Sequence, residues 1–316
     1  MFGLINLVII VGQLVYVLQI CSILNNNPDT LKMEMINKEP QMFYPWTEPK
    51  GIMNIQHIST GWIDIDQNYL SSCQLKYSLL ESNESTVFKS TSPSLDASKE
   101  VLQHILDSLP SGVASCNENI VRNHLTEQSF DTNQTHPLKI ASLLIQSDLC
   151  IMTEMNGDFI LTDACVCFPD RWRIQDKIGK GLRGIHQPVK HFEKIRTATN
   201  AFMKGMTEPK YRFNYTFSPT DKLHLPHEME GENTFLRVER QCFFRLNCGA
   251  ILFTIRTYIQ AISAMKDDVF PSLLDVLDGK ETRTSLGNAK GKYEDVRAIC
   301  CQRIQMEKHD WGCNVL

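Results

Sequence analysis

The sequence lacks the spacings that mark the common metal and nucleotide chemistries. No C-x-x-C occurs and no Cys/His grouping has zinc-finger spacing, which argues against a structural zinc site. There is no P-loop, no G-x-S-x-G nucleophile elbow and no H-E-x-x-H helix. An excess of one charge is missing too. The 32 basic and 36 acidic side chains leave a net charge of −4, with no general pull toward nucleic acid or anionic lipid. Internal repeats and low-complexity tracts are absent. With 42% hydrophobic and 22% charged residues the chain is not disordered, collagen-like or coiled-coil, and 316 residues suffice for a sizeable core.

The cysteines number 11, an odd count, and are scattered mostly through apolar runs. They read as buried free thiols behaving as small hydrophobes, which favours a cytosolic setting. Residues 2–24 carry no charge and are long and apolar enough to span a bilayer. A single-pass transmembrane anchor is expected, with a signal sequence or a buried terminal helix as the alternative. Lys32, Lys38 and Lys50 follow the segment and no basic residue precedes it, so the body is expected on the cytosolic side. Sequons at Asn83, Asn133 and Asn214 pull the other way. Cys313-Asn-Val-Leu316 has the outline of a prenylation box, with chance as the competing reading.

The pattern divides the chain into an anchor (1–24), a polar linker (25–39), a globular domain (40–262) and a helical extension (263–316). Residues 81–98, rich in Ser, Thr and Asn, predict a loop. Val101, Leu102, Ile105, Leu106 and Leu109 predict an amphipathic helix over 99–109. From Leu143 two apolar runs flank Asn156-Gly157-Asp158, which predicts a hairpin. FLRVERQCFFRL and AILFTIRTYI, joined by Asn247-Cys248-Gly249, predict a second. Helical spacing returns over 191–205 and in KYEDVRAICCQRI. The fold class is α+β, an antiparallel sheet with packed helices.

The second hairpin's register sets Arg245 opposite Ile251 and Arg240 opposite Arg256. Two cations facing each other across a sheet repel, so an anion is expected between or above them. A bound carboxylate or phosphate would serve, as would Asp or Glu from elsewhere in the chain. Gly179-Lys-Gly181-Leu-Arg-Gly184 satisfies G-x-G-x-x-G, but it follows the polar DRWRIQDKI and runs into Pro188, so it lacks the strand and helix of a dinucleotide site. His224 and His227 suggest a metal pair that nothing completes. His186, between the Gly-rich loop and Pro188, is a candidate metal or haem ligand or a satisfied structural histidine.

Three blocks carry a resemblance: Gln146-Ser-Asp148-Leu149; Cys167-Phe-Pro-Asp-Arg-Trp172 through Ile185-His-Gln-Pro-Val189; and Leu236-Arg-Val-Glu-Arg-Gln241 through Ile255-Arg-Thr-Tyr258. With a weaker block at Tyr44-Pro-Trp46 to Tyr69, they resemble the haem-dependent oxidative N-demethylase α-subunit-like family, and the apolar N-terminus is similar to that of fungal members. The resemblance implies a PAS-like fold that binds haem b, activates oxygen and demethylates a small amine. The electrons would come from a separate flavin and iron–sulfur reductase. It points to His186 as iron ligand, with Arg240 and Arg256 on the haem propionates and Arg171 and Arg237 as second choices. Trp172 and Tyr258 are candidates to pack on the ring, with core packing as the alternative. Asp148 and Tyr258 are the candidate catalytic residues, Asp148 to orient the amine or relay protons, with turn capping as its alternative. A non-catalytic haem or small-ligand sensor is the alternative.

Overall fold

The computed structural model describes residues 28–46, 55–59, 61–92, 95–187, 192–278 and 290–312. Residues 2–24 and Cys313 lie outside them. Among the described residues no helix is long and apolar enough to cross a membrane.

The chain opens with α1 (Pro28–Asn37), where a linker was expected. Met35 and Ile36 pack against the buried Ile65, Tyr69 and Cys73, and this apolar contact turns a polar-looking stretch into a helix. The short β1 (Gln56–His57) and an extended segment follow, and then α2 (Tyr69–Val87) and β2 (Phe88–Ser90). The loop expected over 81–98 is thus mostly regular structure. β2 pairs with a later strand, and Ser90 and Ser92 donate hydroxyl hydrogens to the Asp163 carboxylate, so the hydroxyl side chains that suggested a loop cement a sheet edge. Helix α3 (Asp96–Ser108) buries Val101, Leu102 and Ile105 as its spacing predicts.

A small sheet of β3 (Ala114–Asn117), β4 (Ile120–Asn123) and β5 (Ser129–Asp131) comes next, followed by α4 (Pro137–Leu143). The two predicted hairpins then form the centre of the large sheet. β6 (Asp148–Met155) and β7 (Asp158–Cys165) are joined through Asn156 and Gly157 at φ 52° and 85°, the left-handed pair that a type I′ turn needs. Short α5 (Leu182–Ile185) and α6 (Phe192–Gly205) lead to β8 (Lys210–Ser218). β9 (Phe235–Arg245) and β10 (Ile251–Ala261) form the second hairpin, in the expected register with Arg240 opposite Arg256. α7 (Phe270–Leu277) and α8 (Lys290–Gly312) complete the chain.

The seven-stranded sheet runs β1-β8-β9-β10-β6-β7-β2, antiparallel throughout. Alternation along each strand gives it two distinct faces. Leu149, Ile151, Cys242 and Leu252 point to a helical face covered by α2, α3 and α4. Val238 and Tyr258 share that face further along and meet α7 and α8, so the C-terminal helices join the core. Cys150, Met152, Phe243 and Phe253 point the other way, to a loop face covered by Ile174, Leu182, Met203 and Met206.

Candidate functional site

The facing arginines are neutralised from within the chain. The extended segment before α2 carries Asp64 and Asp66, two residues apart and so on one side of it. Arg240 donates from Nη1 to Asp64 Oδ2 at 2.8 Å, and Arg256 from Nη2 to Asp66 Oδ2 at 2.6 Å. Tyr258 donates its hydroxyl to the same Asp64 oxygen at 2.6 Å, and Gln146 Nε2 reaches Asp66 Oδ1 at 3.0 Å. Burial, reinforced by the Asp64 charge, pushes the Tyr258 phenol far above its ordinary range, so it remains a donor. Asp66 and Arg256 are both buried. The anion that the register demanded is therefore supplied within the chain by a pair of aspartates, which anchor residues 61–68 to the helical face and engage the two arginines expected on the propionates.

His186 stands on the other side of the sheet. It closes α5, and its Nδ1 lies 2.9 Å from the Leu182 carbonyl. A carbonyl can only accept, so Nδ1 carries the proton and the neutral ring keeps its lone pair on Nε2. Burial pushes the imidazole down to about 4, and the cations Arg212 and Lys177 add to that shift. Arg212 is paired with Gln241 in the β8–β9 register, one residue out of phase with Arg240, which places it on the loop face. Its Nε donates to Gln241 Oε1 at 2.8 Å. Gln241 Nε2 in turn donates to Glu239 Oε2 at 2.9 Å, and Asn214 approaches the same oxygen at 3.4 Å. Burial lowers the Arg212 guanidinium, opposed only by the Glu239 charge, which stands close but makes no direct ion pair with it.

The sheet thus divides the expected constellation. His186 and Arg212 share the loop face, whereas Arg240, Arg256 and Tyr258 lie on the helical face. One planar cofactor cannot lie on both sides of a continuous sheet, so His186 cannot share it with the two facing arginines.

The remaining candidates fall as follows. Trp172 packs on the loop-face cluster with Ile178, Ile185, Phe202, Phe243 and Phe253, on the side of His186. Arg171, at φ 57°, is held by both oxygens of Asp170 at 2.9 Å, and Asp170 also accepts from Thr216. Arg237 is fully buried on the loop face and clasps backbone, donating to the carbonyls of Phe168, Leu223 and Lys222. Asp148 is fully buried, and its two oxygens accept the Cys167 and Phe168 N–H groups at 2.9 Å each. Its carboxylate is occupied in holding the end of β7, and Tyr258 lies on the face of the sheet opposite His186. Sequence reasoning missed Arg212, Glu239 and Asn214. The alternation of KYRFNYTF carried the signal, because Arg212 and Asn214 fall on the side opposite Phe213 and Tyr215.

A haem supplies four equatorial nitrogens itself and asks the protein for an axial ligand and for cations on its propionates. A neutral imidazole with its tautomer fixed from behind suits the first demand. The half-buried Arg212 guanidinium, bonded to a neutral amide, suits the second. The loop-face residues therefore fit the group. Among the described residues no cluster of three or more His, Cys, Asp or Glu side chains is arranged to hold a bare metal ion.

Residues 53–296 match the family model described as haem-dependent oxidative N-demethylase, alpha subunit-like. No curated protein matches the chain.

Proposed function

Because the chain belongs to the haem-dependent oxidative N-demethylase α-subunit-like family, we propose that it binds haem b on the loop face of a PAS-like sheet and acts as an oxidative N-demethylase-like monooxygenase. The observation that carries this reading is the His186 imidazole, its Nδ1 proton fixed on Leu182, near the half-buried Arg212. His186 would supply Nε2 to the iron and Arg212 would hold a propionate, with Phe243, Phe253 and Trp172 forming the apolar surround. When bound, the haem supplies the oxygen activation by which a methyl group leaves a small amine as formaldehyde. Glu239, steadied by Gln241 and Asn214, is the carboxylate on this face that could hold a proton or a substrate ammonium. The described residues carry none of the reductase modules, so electrons would come from a separate flavin and iron–sulfur partner. Residues 2–24 would tether the assembly to a membrane, with the globular part in the cytosol.

The test is haemin titration of the purified chain. A saturable Soret band is expected, and His186→Ala is expected to change its position or abolish it. Formaldehyde release from a methylated amine with a reductase present tests the activity. Acid provides a second measurement. The folded-state imidazole titrates near 4, below the ordinary 6.5, so ligation should survive through pH 6 and fail only as pH approaches 4. The same shift means that the unfolded chain takes up the proton first. Stability should therefore fall as pH drops from about 6.5 toward 4, and this component should vanish in His186→Ala. A folded protein that refuses haemin at every pH ends the proposal.

One observation favours a second reading, a haem or small-ligand sensor without turnover. Asp148 and Tyr258, the residues expected to carry catalysis, are bound elsewhere. A stoichiometric haem complex that releases no formaldehyde would decide for the sensor.

A further inference from the structure

Several arginines around the sheet are matched directly to carboxylates: Arg171 to Asp170, Arg240 to Asp64 and Arg256 to Asp66. Arg212 is not, although a carboxylate is within its reach. Across β8 and β9, Arg212 lies opposite Gln241 and Asn214 opposite Glu239, so Arg212 and Glu239 are diagonal neighbours on one face. Long side chains at diagonal positions can meet. Here the buried Gln241 comes between them. Its Oε1 accepts from Arg212 Nε at 2.8 Å, and its Nε2 donates to Glu239 Oε2 at 2.9 Å. A guanidinium only donates and a carboxylate only accepts, so the amide can sit only this way round.

Both charged side chains are half-buried. Glu239 has one further contact, the Asn214 amide at 3.4 Å. Arg171 senses the Glu239 charge, but both oxygens of Asp170 hold its guanidinium. Among the described residues neither Arg212 nor Glu239 therefore makes an ion pair. A direct guanidinium–carboxylate fork would bond more strongly than either contact to a neutral amide, and it would cancel both charges. The amide preserves them. It takes only Nε of Arg212 and leaves the two Nη groups to a ligand or to solvent.

We propose that Gln241 is a positioning residue, an amide spacer that keeps Arg212 and Glu239 from neutralising each other. The guanidinium can then take an anionic group of a ligand while the carboxylate takes a cationic one. That the anion is a haem propionate rests on the proposed haem function; the spacer itself rests on the β8–β9 geometry.

The test is haemin titration of the full chain through a cycle of Gln241→Leu and Glu239→Gln. Gln241→Leu alone lets the two charges meet, and it is expected to weaken haemin roughly threefold to tenfold. In the Glu239→Gln background the same change is expected to cost less than about twofold, because no carboxylate remains to capture Arg212. Lost packing would cost the same in both backgrounds. Gln241→Glu keeps the shape of the spacer but binds Arg212 with a charge of its own, so it is expected to weaken haemin in either background. Urea midpoints of the haem-free chain give a second readout. The coupling between Arg212→Ala and Glu239→Gln is expected to be larger in the Gln241→Leu chain than in the parent. Equal haemin losses in the two backgrounds, parental affinity in Gln241→Glu, or a coupling that does not grow overturns the proposal. A parent chain that takes up no haemin ends the haem reading instead, and the urea cycle then judges the spacer alone.

Discussion

Replacing Lys76 by Ala should cost the fold about 3–5 kcal/mol, the range for removing one partner of a buried charge pair. In a domain of this size that lowers the melting temperature by roughly 10 °C. The side chain is 0% exposed, and its three ammonium hydrogens are shared among four oxygens, the Ser142, Ile145 and Ser147 carbonyls and Ser142 Oγ. It also stands 4.0 Å from the Asp148 carboxylate and 5.4 Å from the centre of the Phe168 ring. Lys76 thus collects the carbonyls at the exit of α4, while Asp148 collects the two N–H groups after β7. Burial raises the Asp148 carboxyl, and Lys76 with those N–H groups opposes the rise. Lys76→Met should recover packing but not the carbonyl partners, and so should remain well below wild type. In a double-mutant cycle with Asp148→Asn, the two changes together should cost less than their sum, since each removes the other's counter-charge. A Lys76→Met protein as stable as wild type would show that the ammonium contributes nothing.

Both hairpins were legible because each carried two independent signals, an apolar period and turn chemistry. Asn156-Gly157 and the Asn247–Gly249 loop fix the pairing of their strands, and the Arg240–Arg256 register follows by counting. α3 was legible from its spacing. The errors at 28–37 and 81–98 have one cause, which is that local polarity was read as absence of structure. Met35 and Ile36 are held by the apolar cluster around Tyr69, and Ser90 and Ser92 are used by the buried Asp163 carboxylate, 73 and 71 residues further along the chain on β7. Neither partner can be seen from a local window.

The candidate site was legible in its parts and not in its assembly. Register correctly put two cations face to face and correctly asked for an anion. That the anion would be Asp64 and Asp66 could not be read from strand counting, because the segment that carries them is not in the sheet. Likewise, His186 sits in an irregular stretch whose side of the sheet is set by Leu182 and Ile185 packing on the loop-face cluster. Parity, however, was available. Once Arg240 is assigned to one face, Gln241 and its neighbour Arg212 belong to the other.

That parity makes the strongest functional prediction. Arg212→Ala should weaken haemin binding by roughly tenfold to a hundredfold, as the loss of a charged hydrogen bond worth about 1.5–3 kcal/mol implies. Arg256→Ala should leave haemin affinity nearly unchanged in the fraction that folds, yet destabilise the chain by about 3–5 kcal/mol. It strips a buried partner from Asp66, which accepts 2.6 Å from Arg256 Nη2 on the helical face. Because Arg256→Ala exposes its effect through unfolding, the comparison should be made at low temperature and against Arg240→Ala. Asp64 and Arg240 are partly solvent-facing, so that variant should fold. Haemin titration and denaturant midpoints measured on all three proteins separate the two faces. The expected pattern is an affinity loss confined to Arg212 and a stability loss concentrated at Arg256. The reverse pattern would mean that haem displaces the aspartates on the helical face, and it would return the cofactor to the two facing arginines.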